Sequence, residues 1–226
     1  MDMSTRKQKL QLECVLLCIG FCFAPEIIFG HEPTPSDKKP KVRKYDEGPL
    51  SSEDFQGQRP ENVSTDEAKH DAFIRTQVQY EFRYGYETNG KTTTMKLQSI
   101  DTFAVVDQSN SWNLRKDDAE LLDHEQGHFD LTHATALRIK LELQNGIKTK
   151  QPLESKGDSE KAAAKELDRK IMNIVDRISK DEIKVQLEYD RLTEHGRLAE
   201  PQAELRKQQK ETIADLSDQL KRLKSE

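Results

Sequence analysis

Residues 124 to 128 read His-Glu-Gln-Gly-His, an HExxH run inside Leu121 to Ala136, whose spacing and flanks predict a helix. At about 100° per residue, His124 and His128 lie about 40° apart on the helix surface, so both imidazoles reach one tetrahedral metal. Glu125 stands beside them, where a carboxylate takes a proton from a metal-activated water. This is the chemistry of a zinc hydrolase with one zinc ion. It is incomplete, because a catalytic zinc wants a third protein ligand and an open position.

The other histidines are His31, His70, His133 and His195. On a continuous helix His133 lies about 180° from His124 and about 140° from His128, so it cannot join their metal and reads as a packing histidine. The spacing also misses the extended HExxHxxGxxH pattern. His31 and His70 precede the first strand and are weak candidates. His195 is better placed. It follows a second long helix, and Gly196 after it lets the chain turn sharply and present the ring. Whether that ring returns to the HExxH pair depends on how the helices pack.

The elements that must do the positioning are legible. Ile74, Thr76, Val78, Tyr80, Phe82, Tyr84 and Tyr86 alternate with mostly polar residues, the pattern of a half-buried strand. Asn89-Gly90 favours a tight hairpin, and Thr92 to Val106 pairs back antiparallel, with a change of phase between Leu97 and Ile100 that predicts a bulge. Trp112 at the sheet exit is expected to plug the core. The HExxH helix starts at Asp117 or Asp118 and stops at Asn145-Gly146. After a polar break from Lys148 to Asp158, a second long helix runs from Ser159 to about Tyr189, with a stripe of Leu167, Ile171, Ile174, Val175 and Ile178 that should pack on the first. Pro201 opens a third, charged helical segment, to be read as a coiled coil, a docking helix or a frayed end. The expected fold is α+β: an antiparallel hairpin or small sheet packed on two long helices, with a charged C-terminal helical extension, in a zincin-like arrangement.

The chain has 226 residues and a net charge of -5, with hydrophobic and charged residues each at 34%. That balance argues for one compact domain with polar extensions, and the acidic excess gives no footprint for nucleic acid. Arg6, Lys7 and Lys9 precede an apolar run from Cys14 to Ala24, too short to span a bilayer and shaped like a secretory signal peptide over residues 1–30. An uncleaved anchor is the competing reading; after cleavage no stable membrane insertion is expected. Cys14, Cys18 and Cys22 all fall in this segment. A mature chain would then hold metal through nitrogen and oxygen only. Residues 31–49, rich in Pro and Lys, are expected to form a flexible tether, with a metalloprotease-like domain over 50–200, Phe55 as its first anchor, and a charged tail over 201–226.

The stretch Leu121-Leu122-Asp123-His124-Glu125-Gln126-Gly127-His128-Phe129-Asp130, joined to the later Tyr189-Asp190-x-x-Thr193-x-His195-Gly196, resembles the bacterial predicted secreted zinc-dependent proteases, a family of otherwise unassigned function. Glu53-Asp54-Phe55-x-Gly57 and Ser111-Trp112 are similar to that family's pattern as well, so the resemblance covers residues 50 to 205 or so. It implies that His124, His128 and His195 ligate the metal and that Glu125 is the general base. Tyr189 and Asp190 fall on motif positions without a settled role: a tyrosine near zinc stabilises an oxyanion and a carboxylate orients a ligand imidazole, while a core Tyr and a helix-end Asp are the plain alternatives. Asp130, about 200° around the helix from His128, is expected to be a structural hydrogen-bonder. The functional expectation is a secreted or periplasmic metallopeptidase acting on a peptide or protein, with Glu125 and Tyr189 as catalytic candidates; cell-wall peptide cleavage would use the same parts. The alternative is a non-catalytic envelope protein with a structural or lost metal, whose helices bind a partner.

Overall fold

The computed structural model describes residues 4–8, 41–61, 70–148 and 153–225. Of the expected signal peptide over 1–30 only residues 4–8 are described, and they stand in a sheet as a strand paired with residues 82–86 rather than apart from the domain, while residues 31–40 of the expected tether lie outside the described residues. Strands β1 (Ser4–Gln8), β2 (Val42–Lys44), β4 (Thr76–Asn89) and β5 (Thr92–Asp107) form an antiparallel sheet in the order β1-β4-β5-β2, and β7 (Glu154–Gly157) adds to β5. Strands β3 (Ala72–Phe73) and β6 (Trp112–Asn113) make a separate short ladder. Three helices complete the architecture: α1 (Ala119–Lys148), α2 (Glu160–Thr193) and α3 (Ala199–Ser225).

The β4–β5 hairpin follows from its alternation. Val78, Tyr80, Phe82 and Tyr84 share one buried face with their cross-strand neighbours Ala104, Thr102, Ile100 and Leu97. The register shifts at Tyr84, where Gln98 is the extra residue between Leu97 and Ser99, so the bulge lies inside the expected window. Asn89 pairs with Thr92, which leaves Gly90 at a φ of 60° and Lys91 as the two-residue turn.

Both long helices cover that one face. Thr102 Oγ1 donates to the Ala136 carbonyl of α1 at 2.7 Å, and the Tyr80 hydroxyl donates to Met172 Sδ of α2 at 3.0 Å. The core between them contains Phe129, Ile139 and Leu143 from α1 and Leu167, Ile171 and Val175 from α2. The helices run antiparallel, since Arg177 pairs with Glu142 while Gln186 meets His128. The HExxH turn near the start of α1 therefore faces the end of α2.

Asp118 caps α1, accepting from the Leu121 amide at 3.0 Å, and Ser159 caps α2 through the Ala162 amide at 3.2 Å. Asn145 and Gly146 do not stop α1, which continues to Lys148, and α2 continues past Tyr189 to Thr193. The polar break holds β7, a strand too short and polar to show a period.

Residues 41–49, expected in the tether, are instead built into the domain. Val42, Arg43 and Lys44 pair with β5. Arg43 Nη1 meets buried Asp54 at 2.6 Å, and Tyr45 packs on Phe129 and His133. The sparse apolar content was offset by these specific polar anchors. Of the three readings of the C-terminal segment, the docking helix is realised: α3 lies on α1 with Gln202, Arg206, Gln209, Leu216 and Leu220 buried. Phe55 and Trp112 are buried as expected, Trp112 stacked on Phe73. No helix of the described residues is long and apolar enough to cross a membrane.

Candidate metal centre

His124 and His128 occupy the α1 surface that meets α2, and their side chains are nearly sealed, at 2% and 3% exposure. Their Nε2 atoms stand 3.2 Å apart. Asp190 of α2 aims Oδ1 at both, 3.1 Å from His124 Nε2 and 2.9 Å from His128 Nε2. These three residues form a group able to hold a metal ion, with ligand atoms all within 4.8 Å of one another. Zinc bonded at about 2.0 Å in tetrahedral geometry separates its ligand atoms by about 3.3 Å, close to what is found.

The hydrogen bonds behind the rings bear on which nitrogens carry protons. His128 Nδ1 lies 2.5 Å from Gln186 Oε1, a carbonyl oxygen that only accepts. His124 Nδ1 lies 3.4 Å from Thr193 Oγ1, whose own proton goes to the Tyr189 carbonyl at 2.8 Å. His128 is thus held as an Nδ1–H donor, and with His124 in the same tautomer both Nε2 atoms face each other and a carboxylate oxygen as lone pairs. Bare lone pairs at such distances require a cation between them, a proton or a metal ion. Burial pulls His128 down, but the Asp190 charge and hydrogen bond, with further help from Glu125 and Gln186, lift it to about 9. Burial takes His124 down to about 4. Burial would raise Asp190, but the His128 charge and the histidine hydrogen bonds hold it far below the ordinary carboxylate range.

His195 arrives from the turn after α2. Glu194 and His195 both adopt left-handed backbone, at φ of 47° and 57°, and Gly196 follows at 83°. Gly196 packs on the His124 side chain, where a Cβ would stand 3.0 Å from His124 Cβ. Two non-glycine residues in this region cost energy; the turn presents His195 Nδ1 3.4 Å from Asp190 Oδ1. The His195 side chain is 42% exposed, against 14% for Asp190, so solvent reaches the cluster from this side. His70 joins here too, its ring edge-on to His195 at 4.2 Å between centroids. His195 thus borders the cluster through Asp190, while Asp190 contacts both HExxH histidines directly.

Glu125 is 4% exposed and burial pushes its carboxyl up to about 7, with a backbone hydrogen bond from Ile74 acting in the opposite sense. Tyr189 stacks its ring on His124 at 4.9 Å, and its hydroxyl donates to the His124 carbonyl at 3.4 Å. That hydroxyl is committed to the backbone of α1, lying against Gly127 where a Cβ would collide with it. In this geometry the Tyr189 ring lies flat against the His124 ring. His133 stacks on Tyr45 at 3.8 Å, on the far side of α1. Asp130 is the structural residue expected of it: it accepts from Tyr45, Gln126 and Arg206, tying the N-terminal segment and α3 to α1.

Sequence reasoning placed Gln186 and Glu182 nowhere. Their signal lies in the α2 stripe, since Ile171, Val175 and Ile178 continue at helical spacing into Glu182, Gln186, Tyr189 and Thr193. A core-facing stripe that turns polar where it reaches the HExxH turn of α1 marks the partners of the candidate site.

No family model matches this chain, and no curated protein or solved structure matches it.

Proposed function

We propose that the protein is a zinc-dependent metallopeptidase with a zincin-like arrangement, in which His124, His128 and Asp190 hold the ion. The carrying observation is the convergence of His124 Nε2, His128 Nε2 and Asp190 Oδ1 in a nearly buried group whose ligand atoms all lie within 4.8 Å of one another. The motif resemblance to the bacterial secreted zinc-dependent proteases supports the same reading, and with it a secreted or periplasmic location; it maps His195 as a ligand. The geometry favours Asp190 for that place and His195 as the group that steadies the Asp190 carboxylate from the solvent side.

Zinc at this position supplies Lewis acidity that polarises a carbonyl and acidifies water. With the ion in place, Glu125, whose carboxyl burial raises, would be the group that takes a proton from water and returns it to the leaving amine. An extended peptide suits the surroundings. The Thr76 hydroxyl at the start of β4 meets Thr132 of α1 at 2.7 Å. β1 pairs with β4 only between Phe82 and Tyr86, so among the described residues strand pairing on that side stops short of the metal end. A backbone edge beside a metal helix can hold a substrate strand through main-chain hydrogen bonds.

Metal analysis of the purified protein beside Glu125→Gln, assayed on peptide libraries, tests the proposal. Bound zinc and hydrolysis that Glu125→Gln abolishes would support it. Bound zinc without any Glu125-dependent hydrolysis would favour the non-catalytic envelope protein.

A further inference from the structure

We infer that Gln186 is the positioning residue that makes His128 a metal ligand, by locking its ring as the Nδ1–H tautomer and leaving Nε2 bare. The inference rests on the metal-site reading above and adds to it the group that prepares one ligand.

Gln186 is 3% exposed and makes four polar contacts. Its Nε2 lies 3.1 Å from the His128 carbonyl, 3.2 Å from Thr132 Oγ1 and 3.2 Å from Glu182 Oε1. A backbone carbonyl accepts only, so the amide nitrogen must occupy that side. The amide oxygen then falls on His128 Nδ1, at 2.5 Å. Flipping the amide would set oxygen against oxygen at the carbonyl and nitrogen against the ring. The amide is therefore fixed in one orientation, and the ring with it: a carbonyl oxygen at Nδ1 accepts only a proton.

Glu182, one helical turn before Gln186, holds the amide from behind. It is 2% exposed, and its second oxygen has no partner. Burying a carboxyl and an amide here costs free energy that apolar side chains would avoid. A chain of Glu182, Gln186 and His128 has a function in presenting the ring. A ligand histidine whose other nitrogen is anchored in this way keeps its orientation and loses less freedom on binding metal.

Two measurements test it. In zinc-loaded wild-type protein carrying 15N-labelled histidine, His128 should show a protonated Nδ1 and a metal-shifted Nε2; metal on Nδ1 would overturn the inference. Zinc affinity, read by competition with a chromophoric chelator, should fall by about 10- to 100-fold in Gln186→Met. Wild-type affinity in a folded Gln186→Met would also overturn it. Should Gln186→Met not fold, the wild-type spectrum still decides. A folded wild type that takes up no zinc would instead sink the metal reading beneath it.

Discussion

Gly127 and Glu182 show how much of the candidate site depends on residues outside the His124, His128 and Asp190 group. Glycine inside a helix costs about 1 kcal/mol relative to alanine, so Gly127→Ala would ordinarily stabilise α1. Here an added Cβ collides with the Tyr189 hydroxyl, and overpacking of this kind costs about 1–3 kcal/mol. Gly127→Ala should therefore destabilise the protein in urea unfolding and loosen the His124 ring that Tyr189 backs. Glu182 carries a carboxyl that burial raises to about 7. A raised folded-state value means that the native protein holds a proton the unfolded chain releases from pH 4.5 upward. Its contribution is thus complete below pH 4.5 and is lost as pH climbs through 7. Glu182→Gln keeps an uncharged group, so its thermal midpoint should fall less than that of the wild type between pH 5 and 8. An unchanged pH slope would show that Glu182 does not titrate there.

At the scale of elements, the site is a crossing of two antiparallel helices, and that crossing explains what the sequence disclosed and what it hid. The strand alternation and the HExxH spacing are local signals, so β4, β5 and α1 were legible. Asp190 stands at a motif position without a settled role in the sequence, because the resemblance assigns the third ligand place to His195. One further turn of helix places Gln186, Asp190 and Thr193 on a single face. Gly196 announces a turn, but no local propensity announces the left-handed backbone of Glu194 and His195 just before it. The order of residues 41–49 was hidden because Tyr45 and Arg43 find their partners far along the chain. α3 is held by the Arg206–Asp130 pair at 2.6 Å, with both side chains almost fully buried. Removing one partner of such a pair leaves a buried charge and costs about 3–5 kcal/mol. Arg206→Ala should show a loss of this order in denaturant unfolding, together with faster amide exchange along α3. A loss below 1 kcal/mol would mean that α3 is dispensable to the domain.

Across the whole molecule, a sheet with α1 and α2 on one face and α3 outside α1 creates one buried polar cluster where the two inner helices meet. The fold confines two imidazoles and a carboxylate there, so an ion that binds only the folded state should raise its stability by mass action, by about 2.7 kcal/mol at a hundredfold excess over Kd. Thermal unfolding with and without zinc reads this directly, and His124→Ala should erase the increment. The most direct test of the central claim is an anomalous difference map at the zinc edge from crystals grown with the metal. A single strong peak is expected about 2.0–2.2 Å from His124 Nε2, His128 Nε2 and Asp190 Oδ1. A zinc-saturated protein whose anomalous peaks all lie elsewhere, with the space between those three atoms empty of metal, would contradict the account.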